Sequence, residues 1–375
     1  MMAAPDATGF RGQPVLAPLG WLFGGVVRLR NSAYDRGLLA IRHLPVPVVS
    51  VGNLTVGGTG KTPLVAALAR RLAARGRRPA VVLRGYGGRN ARRPGGPALL
   101  VSRGKPGHLL ADVDQAGDEA LLLATILADV PVVVSAQRYH GGMQAITTCG
   151  ADLVLLDDGF QHRALHRDLD LVALDATVPL GGGRLLPAGL LREPPLALRR
   201  AHALILTRAH GDLLYERAAA TLERVAPGVT IYRARHRATG LRLVSSGPAP
   251  PPSLAELKGM PVAGFAGLAR PGALRDTLAS LGARVVMFTP LADHHPFRPG
   301  EIQGLVDAGL QAGARLVITT AKDAVRMDPA APHPHLAVLE IEMTLDRMDS
   351  LVEQILALPS PGPPPPGSRS AQASR

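Results

Sequence analysis

Cysteine is nearly absent from this chain, with Cys149 the single example. An intrachain disulfide and a Cys-based metal cage are therefore excluded, and a reducing compartment is expected. Aromatic residues make up only 3% of the sequence, so a core has to be built from Leu, Val and Ala. With so few aromatics there is no basic stripe interleaved with rings, and no zinc-finger spacing either, which argues against a nucleic-acid partner. Acidic residues are also in deficit: 29 Asp and Glu stand against 42 Lys and Arg, a formal net charge of +13. Such a surplus fits nucleic acid, an anionic membrane or a phosphorylated substrate, and charge alone does not choose.

Long apolar runs are missing as well. The best N-terminal candidate lies in "VLAPLGWLFGGVVRLR", Val15 to Arg30, where the uncharged stretch ends at Val27. As a helix it would reach only ~20 Å, short of the ~30 Å hydrocarbon core of a bilayer. No small-residue cleavage site follows it, so a cleaved signal peptide is not expected. Between Arg11 and Arg42 there are five arginines and only Asp35 as an acid. Trp21 and Phe23 in an apolar, Arg-flanked segment fit an interfacial helix on an anionic leaflet; a core helix fits the pattern equally well.

What the 375 residues do contain is alternation, over a length that accommodates two domains. Short uninterrupted apolar runs at Val46–Val51, Ala80–Leu83, Pro131–Ser135, Leu153–Leu156, Leu171–Leu174 and Ala203–Leu206 alternate with helical patterns at Lys61–Ala74, Asp118–Ala128 and Gln137–Thr148. Buried-on-both-faces strands separated by helices predict an α/β fold with a parallel sheet covered by helices. The Pro-rich piece from Ser245 to Gly259 marks a junction. Alternation resumes beyond it, with strands at Val262–Phe265, Arg284–Phe288, Leu316–Thr319 and Leu336–Ile341 and helices at Pro271–Leu281, Gly300–Ala312 and Leu345–Leu356. The expected division is a membrane-associating segment (1–43), a first α/β domain (44–245), a smaller second one (246–358) and a disordered Pro-rich tail (359–375).

The first strand runs into "GNLTVGGTGKTPLV". A loop that closes on phosphate needs glycines, because backbone N–H groups must approach the oxygens with no Cβ between. Gly57, Gly58 and Gly60 meet that need, Thr55, Val56 and Thr59 complete the loop, Lys61 reaches the β- and γ-phosphates, and the Thr62 hydroxyl suits Mg²⁺. The helix that follows aims its positive end at the same place, with Pro63 tolerated in its first turn. Thr55 stands where the usual pattern has its first glycine; this is tolerable if its φ is negative and its side chain turns away from the phosphates. A second strand, "ADLVLLDDGFQH", ends in Asp157 and Asp158, and carboxylates at the C-terminal end of a parallel strand face the ligand crevice and hold Mg²⁺ there.

These pieces resemble the tetraacyldisaccharide 4′-kinases, the lipid A 4′-kinases of Gram-negative bacteria. The match runs in order through "YDRGLL", "VGNLTVGGTGKTP", "LRGYGG", "GDEALLLA", "LLDDGFQH", "GRLLPAGLLRE", "ADHHPF" and "TTAKDAVR", from Tyr34 to about Leu356, and Thr55 is typical of that family's loop. The resemblance implies a P-loop kinase domain with a smaller α/β C-terminal domain and ATP in the cleft between them. It implies a kinase using ATP and Mg²⁺ to phosphorylate the 4′-hydroxyl of a tetraacylated glucosamine disaccharide 1-phosphate. It implies a monotopic enzyme at the cytoplasmic face of the inner membrane, which favours membrane contact for Val15–Arg30.

It also implies residue roles. Asp118 in "GDE" matches the catalytic aspartate, though Asp at a helix start is otherwise a common cap. Its histidine partner maps to His294, with His295 second. Gln161, His162, Arg184 and Arg192 are candidates for the acceptor or the phosphates, and Glu193 for Mg²⁺ or the sugar. Lys322 and Asp323 are candidates for adenosine or a structural ion pair. Two other readings share the loop: a dethiobiotin-synthase-like ligase with a soluble acceptor, and a GTP switch. The second wants Asn-Lys-x-Asp, and the nearest match, "TAKD" at Thr320–Asp323, departs from it.

Overall fold

A computed structural model of the protein describes residues 14–89, 96–105, 107–209, 211–244, 251–327 and 333–359. The expected disordered tail from residue 360 onward, and residues 245–250 of the expected junction, lie outside them.

Twelve strands form one sheet: β1 (Val48–Asn53), β2 (Pro79–Leu83), β3 (Leu99–Arg103), β4 (Pro131–Val134), β5 (Leu153–Asp157), β6 (Leu169–Asp175), β7 (Ala203–Thr207), β8 (Thr230–Leu243), β9 (Pro261–Ala266), β10 (Arg284–Pro290), β11 (Leu316–Thr320) and β12 (Leu336–Leu345). Their order is β10-β9-β11-β12-β8-β7-β6-β1-β5-β2-β4-β3. Pairing is parallel except at β3–β4 and at the long β12–β8 ladder, where the set before residue 245 meets the set after it. Strands β1, β2, β4, β5, β6 and β7 are buried along their whole length. That is why they read as unbroken Val/Leu runs rather than as alternation.

The sequence pattern misses two strands. β3 is short and half-buried, and β8 carries an arginine or histidine at nearly every second position, with many of its side chains exposed. It also misses the helix Asp212–Val225, which buries only Ala218 and Leu222.

The helix Lys61–Ala74 is the keystone of the site. It buries Leu64, Val65, Leu68 and Leu72, among others, and packs on β1, β2 and β5 and also on β12. A truncation such as Leu68→Ala would cost about 2–5 kcal/mol at so closed a position. Because one helix is packed by strands of both sets, the sheet curls around it. Consequently the loops beyond β3 and β10, at opposite edges of the strand order, face one another.

The helix Ala17–Asp35 is not a core helix. It touches the body through Gly20, Gly24 and Val27, and the two glycines abut Leu185 and Ala188. Val15, Leu19, Leu22, Val26 and Leu29, spaced as one helical stripe, are exposed, and Trp21 is 78% exposed beside them. No helix among the described residues is long and apolar enough to cross a membrane.

Candidate active site

The phosphate loop leaves β1 and closes at Gly60, whose φ of 83° is left-handed, a conformation glycine adopts at no steric cost. Thr55 keeps an ordinary φ. Its Cγ2 packs where a Cβ on Gly181 would stand, so the side chain turns toward the 181–191 segment. The backbone there is stapled on both sides: Thr55 bridges Leu191, and Val56 N–H donates to Leu190 O at 2.8 Å. Three residues that motif reading overlooks fix the rest of the loop. Asn53 Nδ2 donates to Thr59 Oγ1 at 3.2 Å, Thr207 Oγ1 to Thr59 O at 3.0 Å, and Arg208 Nη2 to Gly58 O at 2.7 Å. The missing first glycine is thus offset by a loop held in place from outside.

Asp157 and Asp158, at the end of β5, play against the first turn of the Lys61 helix. Thr62 Oγ1 donates to Asp157 Oδ2 at 3.1 Å. Asp157 Oδ1 is buried and has no hydrogen-bond partner among the described residues. Burial, reinforced by the Glu119 carboxylate, pushes the Asp157 carboxyl up to about 7. Asp158 turns the chain at φ 58° and meets two cations, Lys61 Nζ at 3.4 Å and Arg192 Nη1 at 2.7 Å. Burial acts to raise Asp158, but those cations overcome it and hold the carboxyl below its ordinary range.

These residues fit Mg²⁺: an orphaned carboxylate oxygen beside a hydroxyl is a donor pair that a hard cation satisfies. Among the described residues no group of three or more His, Cys, Asp or Glu forms a cage. Mg²⁺ at this place would thus rely on Thr62, the β5 acids, water and nucleotide oxygens. Glu193 is buried too, and its Oε1 has no hydrogen-bond partner among the described residues. Its Oε2 accepts from Asn31 Nδ2 at 2.9 Å and Arg200 Nη1 at 2.8 Å, with Arg30 3.8 Å from Oε1. It joins the N-terminal helix to the body.

Asp118 opens the helix Asp118–Ile126, buried, with its Oδ1 accepting the Glu119 N–H at 3.0 Å. Its Oδ2 accepts from His294 Nδ1 at 2.7 Å. His294 sits in the turn after β10 at φ 58°, a conformation that costs a non-glycine residue of order 1–3 kcal/mol and clusters at functional sites. Lys322 Nζ, tied to Asp293 Oδ1 at 2.9 Å, stands 3.3 Å from His294 Nε2. An ammonium only donates, so Nε2 accepts and the Nδ1 proton points at Asp118. His295 is engaged elsewhere, 2.7 Å from Glu301 and edge-on to Phe297. Asp323 is fully buried and bonded by Thr320, Arg326 and Gly267 N–H, which leaves it no face for adenosine.

Gln161 Nε2 donates to Asn53 O at 3.0 Å, while its Oε1 is buried with no partner among the described residues. Burial first, then the charges of Arg138, Arg167, Arg30 and Arg84, pull the His162 ring down to about 4. Arg138, unremarked in the sequence, is buried with its Nε unpaired among the described residues, and burial lowers it to about 10. Arg184 is exposed on the 181–191 segment.

The family described as tetraacyldisaccharide-1-P 4′-kinase matches residues 13–359. A tetraacyldisaccharide 4′-kinase of Geobacter sulfurreducens is 45% identical over 315 residues, 84% of each chain, and one of Anaeromyxobacter dehalogenans is 42% identical over 375 residues, 95% of each. A crystal structure of LpxK from Aquifex aeolicus in complex with ATP superposes with a TM-score of 0.72 at 34% identity, covering 91% of this chain and 98% of that one. With its phosphate loop, β5 acids and Asp–His pair in place over that whole length, the chain belongs to the tetraacyldisaccharide 4′-kinase family.

Proposed function

We propose that this protein transfers the γ-phosphate of MgATP to the 4′-hydroxyl of a tetraacylated glucosamine disaccharide 1-phosphate, a step of lipid A biosynthesis, at the cytoplasmic face of the bacterial inner membrane. The observation that carries the reading is the 2.7 Å contact between Asp118 and His294, which come from opposite edges of the sheet. Glu119, next to Asp118, is close enough to Asp157 to raise its carboxyl, so the pair lies beside the residues that would hold the phosphates.

Phosphoryl transfer is mostly positioning and charge neutralisation. The loop amides and Lys61 take the phosphates; Lys61 meets Asp158 at the long distance of 3.4 Å and is free to turn to a nucleotide oxygen. Mg²⁺, held through Thr62 and Asp157 or Asp158, would neutralise the developing charge. Asp118 accepts the proton of the sugar hydroxyl, and His294 orients the carboxylate and shares that proton. Arg192, drawn in by Asp158, and Gln161, His162 and Arg184 face the acceptor. Closure of the 246–358 part on the 44–245 part brings His294 to Asp118. The exposed stripe from Val15 to Leu29, with Arg28 and Arg30 on the same helix, lies on the anionic leaflet from which the glycolipid is drawn.

The test is transfer from γ-labelled ATP to tetraacyldisaccharide 1-phosphate in mixed micelles, wild type beside Lys61→Ala and Asp118→Ala. Labelled lipid, lost by orders of magnitude in both variants, supports the reading. ATP turnover with a soluble acceptor and no labelled lipid would leave only the phosphate loop standing.

A further inference from the structure

A second charged cluster stands beside the phosphate loop and has no part in the chemistry above. Asp175 ends β6, Arg208 follows β7, and Arg270 lies in the turn after β9, so both sets of strands contribute. Asp175 Oδ1 accepts from Thr177 N–H at 3.0 Å and Thr177 Oγ1 at 2.6 Å, and its Oδ2 accepts from Arg208 Nη1 at 2.6 Å. Arg208 continues the chain of contacts to Gly58 O at 2.7 Å, and does so from a left-handed φ of 55°. Strain of that kind persists only where the surroundings impose it.

Arg270 is the surplus member. Asp175 already has three short hydrogen bonds, and Arg270 Nη1 stands 3.4 Å from Oδ2. That is the one hydrogen bond or ion pair found for the Arg270 side chain among the described residues, and the side chain is 32% exposed. A guanidinium carries five N–H donors in a planar fork suited to two oxygens at once, so most of its capacity is unspent. Two guanidinium groups against one carboxylate leave the cluster a charge of about +1. They border a cavity of ≈ 220 Å³ lined by Thr55 to Thr59, Asp175, Arg208 and Arg270. At Gly57 and Gly58 a Cβ would meet nothing within 4 Å, so the loop backbone faces open space.

We propose that Arg270 is a nucleotide-phosphate contact delivered by the second set of strands. When a nucleoside triphosphate occupies the loop, Arg270 exchanges its long ion pair with Asp175 for the terminal phosphate oxygens, and the 267–271 turn closes on the loop. The inference rests on the reading of this loop as an ATP site. Asp175 then holds Arg270 in reserve while no triphosphate is bound; an asparagine there keeps an oxygen that accepts from Arg208 but loses the charge that holds Arg270. The two partners of the ion pair therefore act in opposite directions, which a merely structural clasp would not do.

The experiment measures binding of ATP and ADP to the purified full chain by fluorescent-nucleotide displacement, with melting temperatures alongside, for wild type, Arg270→Ala, Arg270→Lys and Asp175→Asn. One charge-assisted phosphate contact predicts that Arg270→Ala weakens ATP roughly tenfold to a hundredfold and ADP less than about threefold. Arg270→Lys should restore part of the loss, and Asp175→Asn should bind ATP as tightly as wild type or more tightly. Equal weakening toward both nucleotides, weakening of the same sign in Asp175→Asn and Arg270→Ala, or unchanged ATP affinity in Arg270→Ala would each overturn the inference. Wild-type protein that binds neither nucleotide would instead overturn the ATP reading beneath it.

Discussion

Removing His294 while leaving Asp118 in place tests the proposed division of labour, in which Asp118 is the base and His294 the imidazole that orients it. Asp118 Oδ2 has His294 Nδ1 as its partner at 2.7 Å, and Oδ1 keeps the Glu119 N–H. A hydrogen bond to a charged group is worth about 1.5–3 kcal/mol. If it is fully expressed in the transition state, His294→Ala lowers kcat by about tenfold to 150-fold. Asp118→Asn removes the base itself, for which ~10²–10⁴-fold is expected. Because His294 acts through Asp118, the double variant should be no slower than Asp118→Asn alone, a marked departure from multiplicativity. KM for ATP should stay within about threefold in all three, since neither side chain contacts the phosphate loop. The assay is initial-rate transfer to the glycolipid in mixed micelles across a range of ATP concentrations. A double variant slowed by the product of the two single effects would refute the coupled pair. So would a His294→Ala enzyme whose defect lies wholly in KM for ATP.

Three further outcomes follow from the same geometry. Burial raises Asp157 from an ordinary 3.8 to about 7, so its contribution to stability is whole below about pH 4 and is lost as pH rises through 7. Asp157→Asn should therefore abolish transfer yet melt at a higher temperature than wild type at pH 8 without Mg²⁺ or nucleotide; an equal or lower melting temperature would count against the buried-carboxylate account. His162 has the opposite sign: its pKa is lowered from 6.5 to about 4, so the stability it contributes is present above 6.5 and lost as pH falls through 4. His162→Gln should flatten the fall in melting temperature across that window, by at most about 3 kcal/mol of stability, and an unchanged slope would refute it. Trp21→Asp with Leu22→Asp exposes charge on the apolar stripe. Losing two such side chains at about 1.5–3 kcal/mol each should weaken sedimentation with anionic vesicles well over tenfold while ATP affinity in solution is unchanged. Equal partition of wild type and variant would remove this helix from the membrane account.

The parts of the molecule legible in the sequence are those where one short segment carries its own signal. The Lys61–Ala74 helix announces itself by GTGKT at one end and by a Leu- and Ala-rich run from Leu64 interrupted by Val65 and by Arg70 and Arg71, and its observed bounds coincide with the expected ones. Asp157 and Asp158 were legible because an apolar strand ending in carboxylates points them into the crevice. The same logic, applied to "LDLVALD", would have found Asp175 at the end of β6. β8 was illegible because its arginines lie on an exposed face of a strand that joins two sets, and that reads as loop. Partnerships across the fold were out of reach for a different reason. Nothing local to Asp118 distinguishes a base from a helix cap, and nothing local to the tandem histidines distinguishes His294 from His295. Family resemblance nominated Asp118 and, of the two histidines, His294; the fold turns that imidazole onto Asp118 and the other onto Glu301. Glu193 shows the converse. It follows Arg192 in a motif shared with the kinases, yet its carboxylate is met by Arg30, Asn31 and Arg200, so its position ties the N-terminal helix to the same segment that sends Arg192 to Asp158. The N-terminal helix is thereby two residues from Asp158, and its seating against the body and the placing of Arg192 are mechanically one matter.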